Sequence, residues 1–252
     1  MSKKLYGLIG FPLGHSRSAD YFNQRFRSEG PEGSRYQLFP IPAVQGIVHL
    51  LEEHPDLAGL NVTIPYKEKI MPYLTALDDL AAQIGSVNVI LIQSSGGLRR
   101  LKGFNTDAQA FIHTLPEPDR HRNALILGTG GAAKAVAYAL NQTGIKSLFV
   151  SRHSSSPDTI GYDQLHRDPE IMAEHTLIVN ATPSGMFPET DTCPDIPYDR
   201  LDERYLLYDL VYNPDRTLFL QQGASKGAQI QSGEAMFVKQ AELSFNLFTS
   251  IP

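Results

Sequence analysis

Cysteine is nearly absent. Cys193 is the only one in 252 residues, so the chain cannot form a disulfide within itself, and a reducing cytosol is the simplest compartment. Long apolar runs are missing too: none approaches the roughly 18 residues that cross a bilayer. Lys3-Lys4 and the apolar residues after them resemble the start of a signal peptide. Gly7, Gly10 and Pro12 break that run, and no small-residue cleavage site follows. Positive charge is in deficit, with 22 Lys and Arg against 27 Asp and Glu, a net charge of −5. There is no basic tract, so neither nucleic acid nor an anionic membrane is an expected partner. Sequence repeats are absent, and the one biased stretch is Ser154-Ser155-Ser156. These absences leave a soluble cytoplasmic protein.

What is present is enough to build a core. Apolar residues make up 42 % of the chain, and at roughly 150 residues per domain the length allows one to two domains. Strand-like and helix-like patterns alternate. Strands are expected at 6–10, 36–41, 57–65 and 87–92, with helices at 18–27, 44–54, 67–74 and 77–84 between them. A turn at 94–97 returns the chain as a hairpin strand at 98–104. A second series begins near Asp107: helix 108–115, a polar connection at 116–122, strand 124–127, helix 132–142 and strand 147–150. Further strands are expected at 176–179 and 206–210, and an amphipathic helix at 236–248. Such alternation predicts parallel sheets covered by helices, the α/β class.

Residues 123–133, Asn-Ala-Leu-Ile-Leu-Gly-Thr-Gly-Gly-Ala-Ala, carry G-x-G-x-x-A between a strand and a helix. Gly128 permits the tight turn, Gly130 lets a pyrophosphate approach the backbone, and the small Ala133 lets helix and sheet pack closely. The free N–H groups and positive dipole end of the helix suit phosphate. A site for NAD has an acidic residue about 20 positions further on. Here the next strand ends Phe149-Val150-Ser151-Arg152, and no acid appears before Asp158. Arg152 supplies the cation and planar fork that a 2′-phosphate requires, so NADP is the expected cofactor. The alternative is a solvated Arg152, or one stacked on adenine. Asn180-Ala181-Thr182-Pro183 follows a later strand and falls where a Rossmann ligand crevice lies.

Four polar clusters punctuate the first 107 residues: His15-Ser16-Arg17-Ser18, Asn61-Val62-Thr63-Ile64-Pro65-Tyr66-Lys67, Gly85-Ser86-Val87-Asn88 and Asn105-Thr106-Asp107. Each also has an ordinary structural reading. Ser16 and Ser18 read as helix N-caps, Asn61 and Thr63 as a strand end, Lys67 as a solvated residue in a first helical turn, and Asp107 as a helix cap.

Taken together and in this order, the clusters and the glycine turn resemble the shikimate dehydrogenase family. The resemblance extends through Asp209-Leu210-Val211-Tyr212 and Gly233-Glu234-Ala235-Met236 with Gln240, over nearly the whole chain. It implies reversible NADPH-dependent reduction of 3-dehydroshikimate to shikimate, in aromatic amino-acid biosynthesis. The implied architecture is two α/β domains with a cleft between them. Residues 1–106, completed by 234–252, would bind substrate, and residues 107–233 would form a Rossmann-like NADP-binding domain. The C-terminal helix would return to the first domain.

Carried over by motif, Ser16 and Ser18 would bind the substrate carboxylate, with Tyr212 at the same end. Asn61, Thr63, Asn88 and Gln240 would meet the ring hydroxyls. Lys67 and Asp107 would flank the reacting oxygen, Lys67 as acid/base and Asp107 as its partner. Gly128, Thr129, Gly130, Gly131, Ala132, Ser151, Arg152, Asn180, Ala181, Thr182, Leu210 and Ala235 would contact the cofactor. No metal is implied, and the chain would be a monomer or a homodimer.

The chain departs from the family pattern in places. Ala19 replaces the usual Pro after the second serine. Ser151-Arg152-His153 replaces Asn-Arg-Thr, and Ser154 to Ser156 hold no second basic residue, which weakens the expected NADP preference. Ala235 adds a methyl where the pattern has glycine beside nicotinamide. Two competing readings stay open: a broader quinate/shikimate dehydrogenase using NAD or NADP, and a non-catalytic NADP-binding sensor on the same fold. His49 and His54 are five residues apart, about 500° around a helix, and so do not form a metal pair.

Overall fold

A computed structural model describes residues 4–14, 16–95, 98–152 and 156–250 of the chain, Ser95 by its backbone only. His15, the Gly96-Gly97 centre of the expected hairpin turn and His153-Ser154-Ser155 lie outside the described residues. The chain divides into two compact units, residues 1–106 with 240–252, and residues 107–239.

In the first unit, strands β1 (Leu5–Gly10), β2 (Arg35–Pro40), β3 (Leu57–Val62), β4 (Ala76–Leu77), β5 (Val89–Ser95) and β6 (Leu98–Phe104) form one sheet in the order β2-β1-β3-β5-β6-β4. Helices α1 (Ser18–Glu29), α2 (Gly46–Glu53) and α3 (Asp79–Ile84) fall between them. Both faces are covered, because successive side chains of a strand point to opposite sides. Leu5 and Ile9 of β1 pack with Ile47 and Leu50 of α2, while Tyr6 and Leu8 pack with Phe22 and Phe26 of α1. The expectation of parallel sheets is corrected here: β1, β2 and β3 are parallel, but β5 runs antiparallel to both β3 and β6. The short connection between β5 and β6 accounts for the second of these antiparallel pairs.

The expected helix at 67–74 is also absent. Those residues form turns and a short 3-10 segment, Met71–Tyr73, with Pro72 inside it. A proline there removes the N–H that a continuing α-helix needs. The helix expected at 77–84 starts two residues later, at Asp79, because the Asp78 carboxylate accepts the Ala81 N–H at 2.9 Å.

The second unit holds α4 (Asp107–Thr114), β7 (Asn123–Leu127), α5 (Gly131–Gln142), β8 (Lys146–Val150), β9 (Thr159–Ile160), α6 (Tyr162–Arg167), α7 (Pro169–Glu174), β10 (Leu177–Asn180), β11 (Leu206–Asp209), α8 (Leu218–Ser225) and β12 (Gln229–Gln231). Its strands are all parallel, in the order β12-β11-β10-β7-β8-β9. Counted from β7 as the first strand, that is the 3-2-1-4-5-6 order of a Rossmann sheet. The order reverses between β7 and β10, whose carboxyl ends therefore flank the ligand crevice of such a fold. The central strands are apolar except at their ends, where Asn123, Asn180 and Asp209 stand, as a sheet covered on both faces requires.

Helix α9 (Glu234–Thr249) closes the chain. From Gln240 onward it belongs to the first unit, where Ala241, Phe245 and Phe248 join the aromatic core of Tyr6, Phe22 and Phe26.

Candidate active site

The four polar clusters of the first unit gather at one edge of its sheet. Ser16 and Ser18 follow the carboxyl end of β1, and Thr63 to Lys67 follow that of β3. Asn88 precedes β5, and Asn105 to Thr106 follow β6. Because β5 is antiparallel, its start lies beside the end of β6, with Val89 opposite Phe104. Backbone hydrogen bonds tie these ends together. Thr63 N–H donates to Ile9 at 2.9 Å, Phe11 N–H to Ile64 at 3.1 Å and Val87 N–H to Lys67 at 2.8 Å.

Ser16 and Ser18 are not N-caps in the usual sense: the capping position of α1 is Arg17, and no side chain caps it. Ser16 Oγ instead accepts the Ser18 N–H at 3.3 Å. Neither hydroxyl proton is taken by another described residue, nor is that of Thr63. Three hydroxyl donors are thus open to a ligand at this edge. Lys67 is half-buried, and Asp107, the first residue of α4, is 4 % exposed.

Asn61 and Asn88 belong to a buried hydrogen-bond network. Tyr36 Oη donates to Asn61 Oδ1 at 2.8 Å, and Asn61 Nδ2 donates to Ser244 Oγ at 3.0 Å and to the Asn88 carbonyl at 3.4 Å. Both amide hydrogens of Asn61 are therefore engaged within the network, while Oδ1, which accepts one bond, keeps a second acceptor position. Asn88 exchanges two bonds of 2.8 Å with Thr106, one from its Nδ2 to Oγ1 and one from Thr106 N–H to its Oδ1. Thr106 Oγ1 lies 3.3 Å from both the Gln240 carbonyl and Ser244 Oγ, so α9 is bonded into the same network. Tyr36, Thr106 and Ser244 were not read as functional from sequence. Only Thr106, inside the Asn105-Thr106-Asp107 cluster, left a signal there.

In the second unit the glycine turn lies at the carboxyl end of β7. Gly128 has φ +105°, which a side chain rarely tolerates, and Gly130 precedes α5 in extended backbone with no side-chain cap. A Cβ added at Gly130 would meet nothing within 4 Å. Open space beside an uncapped helix N-terminus fits a dinucleotide pyrophosphate. Thr129 and Arg152 are exposed, Gly131, Ala132 and Ser151 half-buried, and the Ser151 N–H donates to Ile160 at 2.9 Å. Arg152, directly after Ser151 beyond β8, presents a cation suited to a 2′-phosphate.

Across the switch point, Asn180 ends β10. Its Oδ1 accepts from Thr182 N–H at 3.1 Å and Thr182 Oγ1 at 2.6 Å, and its Nδ2 donates to Ser184 at 3.3 Å and Asp209 at 3.0 Å. All four of its hydrogen-bonding positions are filled. That side chain holds the turn, and Ala181 and Thr182 are half-buried. Leu210 donates its N–H to the Asn180 carbonyl at 2.9 Å, and Ala235 is exposed in the first turn of α9. Tyr212 is half-buried and stacks on Phe237, ring centroids 4.4 Å apart. Asp209 was missed as a site residue, although an acid ending the apolar strand Leu206-Leu207-Tyr208 was a visible signal. Burial pushes its carboxyl up to about 7, against the lowering effects of Thr217, Val211 and Asn180.

Residues 8–90 match the family model for the shikimate dehydrogenase substrate binding domain. The shikimate dehydrogenase (NADP(+)) of Desulforamulus reducens is 34 % identical over 267 residues, covering 96 % of this chain and 89 % of its own length. Among solved structures, shikimate dehydrogenase 1 from Peptoclostridium difficile superposes with a TM-score of 0.85 at 32 % identity, over 99 % of this chain and 92 % of that one. Shikimate 5-dehydrogenase from Thermus thermophilus, solved with NADP(H) and shikimate, gives 0.80 at 30 % identity, over 98 % and 94 % of the two chains. With sequence similarity over nearly its full length and the same fold in both units, the chain belongs to the shikimate dehydrogenase family.

Proposed function

We propose that this chain catalyses the reversible NADPH-dependent reduction of 3-dehydroshikimate to shikimate, in the cytoplasm, as a monomer or homodimer. The observation that carries this reading is the gathering of Ser16, Ser18, Thr63, Lys67 and Asn88 along one sheet edge, in a chain that also has the Rossmann strand order. A protein that only sensed NADP would have no use for that first set.

NADPH, when bound, supplies the hydride that adds to the C3 carbonyl carbon. Lys67 donates the proton that the developing alkoxide takes up, and its positive charge stabilises that oxygen beforehand. In the oxidative direction Lys67 takes the same proton back. Asp107 orients the Lys67 ammonium and the substrate hydroxyl. Ser16 and Ser18 donate to the substrate carboxylate, with Tyr212 at that end. Asn61, Thr63, Asn88 and Gln240 bond the ring hydroxyls, and the Asn61 amide also ties Asn88 to α9. For the cofactor, Gly128 to Ala132 cradle the pyrophosphate and Ser151 and Arg152 receive the 2′-phosphate. Asn180, Ala181, Thr182, Leu210 and Ala235 line the remainder, and the Asn180 side chain fixes the turn that carries Ala181 and Thr182.

Purified chain is mixed with shikimate or quinate and NADP or NAD, and NADPH or NADH absorbance is followed. Rapid reduction of NADP with shikimate alone is the expected result. Comparable rates with quinate or NAD would replace this reading with the broader enzyme. A folded chain that binds NADPH and turns over none of the pairs would make it a binding protein.

A further inference from the structure

We infer that Asp209 is a positioning residue for the cofactor: its carboxylate holds together the two strand-end turns that follow β10 and β11. The inference rests on the cofactor site proposed above and deepens it.

Asn180 and Asp209 are the last residues of adjacent parallel strands and stand opposite each other in register. Both are fully buried. Asp209 Oδ1 accepts from Asn180 Nδ2 and from the Val211 N–H, each at 3.0 Å, and Oδ2 accepts from Thr217 Oγ1 at 2.5 Å. The first bond decides which way the Asn180 amide faces, because a flipped amide would set its oxygen against the carboxylate. That orientation in turn gives Thr182 its two bonds to Asn180 Oδ1. The second bond fixes the chain just beyond β11, on either side of Leu210. The third ties in Thr217, whose hydroxyl accepts the Leu220 N–H at 3.4 Å and caps α8.

The backbone on both sides has little room to compensate. A Cβ built on Gly128 would stand 3.1 Å from Thr182 Cγ2 and 3.3 Å from the Ala181 oxygen. One built on Gly233 would stand 2.5 Å from the Leu210 oxygen. The turns bonded to Asp209 are thus packed against the glycine turn on one side and against the entry to α9 on the other. A carboxylate suits the post because both oxygens accept, at three donors, with no orientation of its own to get wrong. Burial without a cation is costly for such a group, and the carboxyl's rise to about 7 reflects it. A buried acid serving stability alone would give the same melting behaviour, so the distinction lies in cofactor affinity.

The test uses the full chain. NADPH affinity is measured by fluorescence titration, and KM for NADP and for shikimate by steady-state kinetics. The proteins are the parent, Asp209→Ala, Asp209→Asn, Thr217→Val and Thr217→Ser. Asp209→Ala strands three donors and should weaken NADPH binding about 10-fold or more, with KM for shikimate at saturating NADP changed less than about 3-fold. Asp209→Asn keeps an oxygen for Asn180 and Val211 and should stay within about 3-fold of the parent. Thr217→Val removes the Oδ2 partner together with the α8 cap and should weaken NADPH binding about 3- to 5-fold, while Thr217→Ser restores both the hydroxyl and the affinity. The Thr217 pair carries the test should Asp209→Ala fail to fold. Variants that melt earlier but bind NADPH as the parent does would overturn the inference and leave a purely structural acid. A parent chain that takes up no NADPH would overturn the functional reading itself, a separate result.

Discussion

The Asp209 carboxyl bears on stability, the Lys67 ammonium on the reaction. Asp209 meets only neutral donors, and burial lifts it from 3.8 to about 7 in the folded chain. A carboxyl raised in this way contributes stability that is complete below the unfolded value and is lost as pH rises through the folded one. Unfolding free energy should therefore fall between about pH 4 and pH 7 on account of this group alone. Asp209→Asn has no proton to lose, so it should be more stable than the parent at pH 8, by on the order of 4 kcal/mol, and match it below about pH 4. Urea titrations of both proteins at several pH values measure this. A parent that remains the more stable of the two at pH 8 would mean that the three hydrogen bonds outweigh desolvation. Lys67 is expected to act on the reacting oxygen. Lys67→Ala should lower turnover about 10²- to 10⁴-fold, the usual range for a lost general acid, with NADPH affinity nearly unchanged. Near-normal turnover would remove it from the mechanism.

Among the elements, α9 does most to complete the first unit. Phe248 packs 4.8 Å from Tyr6 and 5.9 Å from Phe22, centroid to centroid, and its carbonyl accepts the Tyr6 hydroxyl at 3.1 Å. Nothing larger than Gly59 fits beneath it, since a Cβ there would stand 2.6 Å from the Phe248 ring. Phe248→Ala should cost about 3 to 5 kcal/mol, as buried aromatic truncations do. Because Ser244 and Gln240 share this helix, KM for shikimate should rise as well; denaturation and kinetics on one preparation would test both effects. The helix was readable in sequence from the spacing of Phe237, Ala241, Phe245 and Phe248. So were the long strands and α5, where periodicity runs for several turns or the apolar run is unbroken. Most of the missed elements lack that length, the eight-residue α8 being the exception. Helices α6 and α7 have six residues each, and β4 and β9 have two. The 67–74 stretch, expected to be helical, is interrupted by Pro72. Within the site, residue types and motifs were legible, whereas the inward commitment of Asn61 and Asn180 was not. An asparagine after a strand looks the same in sequence whether its amide faces a ligand or its own turn.

At the scale of the whole molecule, the net charge of −5 sets a problem that the nucleotide site must solve locally. NADPH carries a 2′-phosphate that NADH lacks, so the long-range field of the chain disfavours the cofactor the family uses. Preference for NADPH must come from groups close to that phosphate. Arg152 is the cation the sequence offers there, and it is exposed. An exposed pair is screened by salt within a Debye length of about 10 Å at 0.1 M and about 3 Å at 1 M. Two salt effects therefore oppose each other. Screening the diffuse negative field helps NADPH, and screening the Arg152 contact hurts it. Direct contact at a few Å is the stronger interaction by Coulomb's law, so the contact should dominate. The ratio of NADPH to NADH affinity should fall several-fold as ionic strength rises from about 0.05 M to about 0.5 M. In Arg152→Ala the ratio should start low, and its residual change should be a rise. Titrating both cofactors into both proteins at the two salt concentrations gives the four ratios needed. A ratio in the parent that is high and indifferent to salt would assign the discrimination to uncharged donors around Ser151 and to the backbone of the glycine turn instead.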